Sequence, residues 1–194
     1  IVWEWHLQDH LVQDFDAKKA NYGKPADHPE LLDINMGEKP PPYISQDSVD
    51  ILKANGMAGS NMTPGNRGAD IFHFNAIKYN ADLDQIVFSS PNLSEIFIID
   101  HSTTVKEAAN HKGGRSGKGG DFLYRWGNPK NYQRGDSTNQ KLFGQHDVRW
   151  IEKGNPGAGD LTVFNNDIPY RGDSMNYSMI YEINPPTTSK GNYY

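Results

Sequence analysis

The sequence predicts an all-β chain: part of a β-propeller built of four-stranded antiparallel blades, with short helices and long loops in the insertions. Three observations predict it. Residues 71–100 hold three β-type runs separated only by turn-forming residues, the pattern of a meander. A weaker copy of the same order begins at His146: a His-bearing strand, a Gly/Pro turn, then the apolar runs LTVFNN and YSMIYEIN. An aromatic-charge-Trp signature also recurs, since Val2-Trp3-Glu4-Trp5 lines up with Leu123-Tyr124-Arg125-Trp126. Repeated four-stranded sheets bury their faces against one another, as propeller blades do. The alternative is that the two units pack as a small sandwich.

In chain order, residues 1–10 read as the last strand of a preceding blade, 11–70 as an insertion, 71–130 as one full blade and 141–184 as most of the next. Closed propellers have at least about four blades, so the rest of the propeller is expected from other segments or other copies of the chain. Within the opening stretch, His6 and His10 are spaced for one helical face, as metal-ligating pairs are. The Glu of the HExxH hydrolases and an evident third ligand are missing, so a packed polar connector is expected and no metal site. The insertion is broken by Pro25, Pro29 and Pro40-Pro41-Pro42. A short helix is expected next, with Asp47 as cap, Val49, Ile51 and Leu52 on one face, and Gly56 beyond its end.

In the first meander, Phe72, Phe74 and Ala76 alternate with His73, Asn75 and Ile77, which predicts His73 and Asn75 side by side on one strand face. Residues 80–84 form the hairpin turn, and residues 85–89 and 94–100 are short, β-branched and aromatic, as buried inner strands are. Thr104 and Glu107 have capping-box spacing, with Gly113-Gly114 as the helix stop. The stretch GGRSGKGG fails the GxxxxGK[ST] spacing and is expected to be a mobile loop. Arg134-Gly135-Asp136 and Arg171-Gly172-Asp173 lie in turn-rich segments where Gly-Asp is ordinary.

Composition excludes several functions. With 19 basic and 24 acidic residues the net charge is −5, and no basic stripe follows a phosphate backbone, so nucleic acid is not an expected partner. No apolar run reaches the roughly 18 residues of a membrane span. The absence of Cys removes thiol catalysis, disulfides and Cys-ligated zinc from this stretch.

Chemistry is expected where the two His-bearing strands, with His73 and His146 in equivalent positions, start successive blades and line one channel. Here WEWHLQDHLVQDFD, HFNAIKYNADLDQIVFSSPNLSEIFIIDHSTT, GGDFLYRWGNP and LFGQHDVRWI followed by LTVFNND resemble the arylsulfotransferase family, the PAPS-independent aryl-sulfate sulfotransferases on a six-bladed propeller. The resemblance is to the later part of a family member. It implies sulfuryl transfer from a phenolic sulfate donor to a phenol acceptor through a sulfo-histidine, without a cofactor, in a secreted or periplasmic protein. By motif His146 is the nucleophile, His73 the sulfuryl-binding and proton-handling partner, and Asn75 and Gln145 substrate contacts.

Two positions depart from the family pattern. Ala76 stands where Ser is common, and Pro91 replaces the active-site Arg of the Ser-Ser-Arg motif. A proline offers neither the charge nor the forked donors of a guanidinium. Arg125, Arg149 and Lys78 are the cations left to compensate. The competing expectation is a catalytically silent propeller used for extracellular binding or assembly, including as a homo-oligomer.

Overall fold

A computed structural model describes residues 1–35, 45–54, 62–64, 72–169, 176–187 and 193. The chain is mostly β-sheet. Its first four-stranded sheet is an antiparallel meander of β3 (Asn75–Asn80), β4 (Gln85–Ser90), β5 (Glu95–Asp100) and β6 (Tyr124–Trp126), in that spatial order. A three-stranded antiparallel sheet follows from β7 (His146–Trp150), β8 (Leu161–Pro169) and β9 (Asn176–Ile183). The insertion contributes a small parallel pair, β1 (Leu11–Val12) with β2 (Leu32–Asp33). These sheets are open, and no propeller closes among the described residues.

The meander is held by two cores. Strand β5 is buried along its whole length, so alternate residues serve opposite faces. Ile96 and Ile98 face Val148, Trp150, Leu161, Val163 and Ile183 of the second sheet. Phe97 and Ile99 face Phe88, Leu93, Phe122 and Leu32 on the other side, where Trp3 and Trp5 also pack. Complete burial of each such side chain contributes about 1.5–3 kcal/mol. Residues 1–10, expected to be the last strand of a blade, carry no ladder among the described residues: 1–6 are irregular and Leu7–His10 form a 3-10 turn, while Trp5 donates from its ring nitrogen to Gly120 O at 2.8 Å.

Both short helices form, with shifted details. Helix α1 (Gln46–Ala54) is capped by Ser45, whose Oγ accepts from Ser48 N at 3.2 Å, and not by Asp47. Of the three residues expected on one face, Val49 is buried, Leu52 half-buried and Ile51 exposed. Gly56 lies outside the described residues. Helix α2 (Val105–Ala108) carries both halves of the Thr104/Glu107 capping box and ends well before Gly113. The glycine-rich loop is tied down: Ser116 N donates to Asp100 Oδ2 at 2.9 Å, Arg115 N to Ser102 Oγ at 2.8 Å and Gly120 N to Asn110 O at 2.9 Å. Its small residues allow that close return of the chain, where mobility was expected. Arg134-Gly135-Asp136 is occupied structurally, Asp136 capping a 3-10 turn (Ser137–Asn139) and Arg134 bonding Ala26 O. Arg171-Gly172-Asp173 lies outside the described residues.

Candidate active site

The HFN and GQH motifs sit at the starts of β3 and β7, which lie against each other. Each motif enters its sheet through the same backbone device. His73 and Ala76 have φ of 45° and 48°, and Gly144 and Asp147 have φ of 58° and 57°. In each case a bulge follows the first cross-strand pair, Asn75 with Ser89 and His146 with Phe164. Holding non-glycine residues in this left-handed region costs of order 1–3 kcal/mol each, the kind of strain that collects at functional sites.

This geometry corrects the expected equivalence. The residue that occupies the place of His146 in the first sheet is Asn75; His73 stands two residues earlier, in the position of Gly144. Strand β3 starts only at Asn75, so His73 and Asn75 do not alternate along one strand face. The positive φ at His73 and Ala76 breaks the period of two that the sequence suggested.

Hydrogen bonds join the motifs. Asn75 Nδ2 donates to Gln145 O at 3.4 Å, and the Ser89 hydroxyl donates to Asn75 Oδ1. His73 and His146 are both exposed. His146 Nδ1 lies 3.0 Å from Gly144 O and 2.7 Å from Asn166 Nδ2, and that same amide donates to Gly144 O at 2.7 Å. The two neutral tautomers therefore each have a partner in place. A proton on Nδ1 is accepted by Gly144 O and leaves the Nε2 lone pair outward; donation from Asn166 to Nδ1 leaves the proton on Nε2.

Gln145 does not reach out of the protein. Its side chain is wholly buried, and Nε2 donates to Ser90 O and Glu95 O, each at 2.9 Å. It anchors the His146 loop to the ends of β4 and β5, so the expected substrate contact is a strut. Asn166 was missed by the sequence reading. Counting two residues on from Ser89 and from Phe164 makes Asn166 the second sheet's counterpart of Pro91. Only the register of the two hairpins reveals that correspondence.

Two of the named cations are already engaged. Arg125 donates to Glu95 through Nε at 2.9 Å and Nη2 at 2.6 Å, also reaches Leu31 O, and stacks over Tyr132 at 4.2 Å. Burial pushes the Glu95 carboxyl up, while Arg125 and Asn131 oppose the shift. Arg149 pairs with Asp147. Together with Lys78, Arg149 lines a cavity of about 520 Å³ between the β3–β4 turn and the end of β7, a cavity whose lining includes neither His73 nor His146.

A family model described as arylsulfotransferase (ASST) matches residues 1–192. The chain belongs to the arylsulfotransferase family. No curated protein and no solved structure matches it. Membership gives this arylsulfotransferase-family chain a general sulfotransferase-like function, with aryl sulfates and phenols as the substrates the family implies. Among the described residues no helix is long and apolar enough to cross a membrane.

Proposed function

We propose that this arylsulfotransferase-family chain carries the sulfuryl-transfer site, with His146 as nucleophile. Nε2 of His146 attacks the sulfur of a phenolic sulfate; the sulfur–oxygen bond breaks and its electron pair leaves with the phenol oxygen, which takes up a proton. The hydroxyl of a second phenol then attacks the sulfo-histidine, the nitrogen–sulfur bond breaks and the imidazole is restored. His73 donates to the sulfuryl oxygens and handles the proton, and Asn75 orients the group. The observation that carries this reading is the bond from Asn75 to the backbone of Gln145, which ties the HFN motif to the residue preceding His146. Gly144 O beside Nδ1 of His146 can accept from the tautomer whose Nε2 lone pair points outward, the form the attack uses, while Asn166 Nδ2 at 2.7 Å partners the other.

Losing an oxyanion ligand costs about 10²–10³ in rate, so with Pro91 in place of Arg a slow enzyme is expected. The same substitution favours the second reading, a catalytically silent propeller used for binding or assembly. In either reading the two open sheets are blades completed by other segments or by copies of the chain, and the protein works outside the cytoplasm, as the family generally does. The intact protein assayed with a chromogenic aryl sulfate and a phenol acceptor should release phenol in an acceptor-dependent way and gain one sulfuryl mass, both lost in His146→Ala. Folded protein giving neither release nor adduct would leave the silent reading.

A further inference from the structure

The opening segment, helix α2 and the glycine-rich loop meet at a cluster that the sulfuryl-transfer reading does not use. His10 is completely buried and Asp121 nearly so. Nδ1 of His10 and Nδ1 of His111 both lie 2.8 Å from the same oxygen, Asp121 Oδ1. The three donor atoms fall within 4.8 Å of one another.

The far side of the His10 ring decides its chemistry. Nε2 lies 2.8 Å from Ala108 O, and a carbonyl only accepts, so Nε2 carries a proton. A neutral ring then turns its Nδ1 lone pair straight at a carboxylate oxygen. Either a second proton or a cation shared among the three groups resolves that opposition. A ring N–H donated to a backbone carbonyl, with the other nitrogen facing a carboxylate and a second imidazole, is the outer-shell arrangement that orients metal-ligating histidines.

The surroundings hold the ring in that orientation. Trp5 stacks parallel on it with centroids 5.4 Å apart, and a Cβ at Gly120 would stand 2.6 Å from His10 Nε2 and 2.1 Å from Ala108 O. Only glycine lets the loop close over the ring, which accounts for part of the GGRSGKGG stretch. His111 and Asp121 also line a cavity of about 470 Å³ shared with His28 and Glu30, so one side of the cluster is open.

We propose that His10, His111 and Asp121 form a binding site for a divalent first-row metal ion of the zinc class, with two imidazole nitrogens, one carboxylate oxygen and an open position toward the cavity. This donor set suits that class; for ligand bonds of about 2.0–2.2 Å the oxygen–nitrogen contacts widen to about 3.3 Å and the two imidazole nitrogens, within 4.8 Å of each other, settle to a like separation, a movement that the exposed His111 ring supplies. The site links residues 7–10 to α2 and the loop, and is separate from the His146 chemistry.

Chelator-treated intact protein titrated with Co²⁺ alone should bind one equivalent at this site, give visible ligand-field bands of low coordination number, and lose them on adding Zn²⁺. His111→Ala, whose side chain is 58% exposed, should stay folded by circular dichroism and bind that equivalent at least about 10-fold more weakly. Asp121→Asn should do the same. Absence of a saturable equivalent in the parent protein, or unchanged affinity in His111→Ala, would overturn the proposal and leave a hydrogen-bonded ion pair.

Discussion

Single residues around His146 divide into those that face solvent and those that hold the loop. Gln145 is of the second kind despite its place beside the candidate nucleophile. Replacing it by Leu removes both donors from Ser90 O and Glu95 O, and each buried carbonyl left unpaired costs about 1–3 kcal/mol. Gln145→Leu is therefore expected to lower the urea midpoint clearly, with any loss of activity following loss of folded protein. An unchanged midpoint with lost activity would return Gln145 to the role of substrate contact. Sequence adjacency could not separate the two roles, since consecutive residues on a strand point to opposite faces and a bulge resets which is which. The same reset makes Asn75, rather than His73, the counterpart of His146.

Among the elements, the junction of β5 and β6 is joined by one buried ion pair, Glu95 with Arg125, supported by Asn131 Nδ2 at 2.9 Å from Glu95 and by the Leu31 carbonyl. The pair fastens the insertion to the meander. Removing one partner of a buried pair is expensive because the other charge stays behind, typically about 3–5 kcal/mol. Arg125→Met should thus be strongly destabilised in urea titrations, and Glu95→Leu/Arg125→Met should recover part of the loss. If Arg125→Met unfolds at the parent's midpoint, the pair does not secure this junction. The sequence marked Arg125 as a cation free to assist the sulfuryl group; tertiary pairing has committed it elsewhere. That leaves the Pro91 position without a guanidinium substitute among the cations the sequence nominated, except through Lys78 and Arg149 on a different cavity.

At the scale of the whole molecule, the second sheet covers one face of the meander while Trp3 and Trp5 cover the other. Strand β9, at the edge, still exposes Met179 and Ile180, and β3 exposes Ile77. Apolar faces of that kind are what stacked blades bury. In the intact protein the propeller reading predicts that a cysteine introduced as Ile180→Cys reacts slowly with a thiol reagent, as a buried side chain does. Labelling as fast as in unfolded protein would show that no further blade or copy covers β9, and the propeller reading would fall.

The sequence by itself determined the β class, the meander with its turn, inner strands and closing YRW strand, the second His-bearing unit, the Thr104/Glu107 cap and the family. Each of these rests on local signals: period, β-branched and aromatic runs, turn residues, cap spacing and ordered motifs. Only the tertiary structure decided that Gln145 is buried, that Asn166 touches His146, that Arg125 is spent on Glu95, and that His10 meets His111 and Asp121 in place of His6. Those facts depend on register and on which distant segments share a core, and a difference of one residue in a bulge moves a side chain from one face to the other.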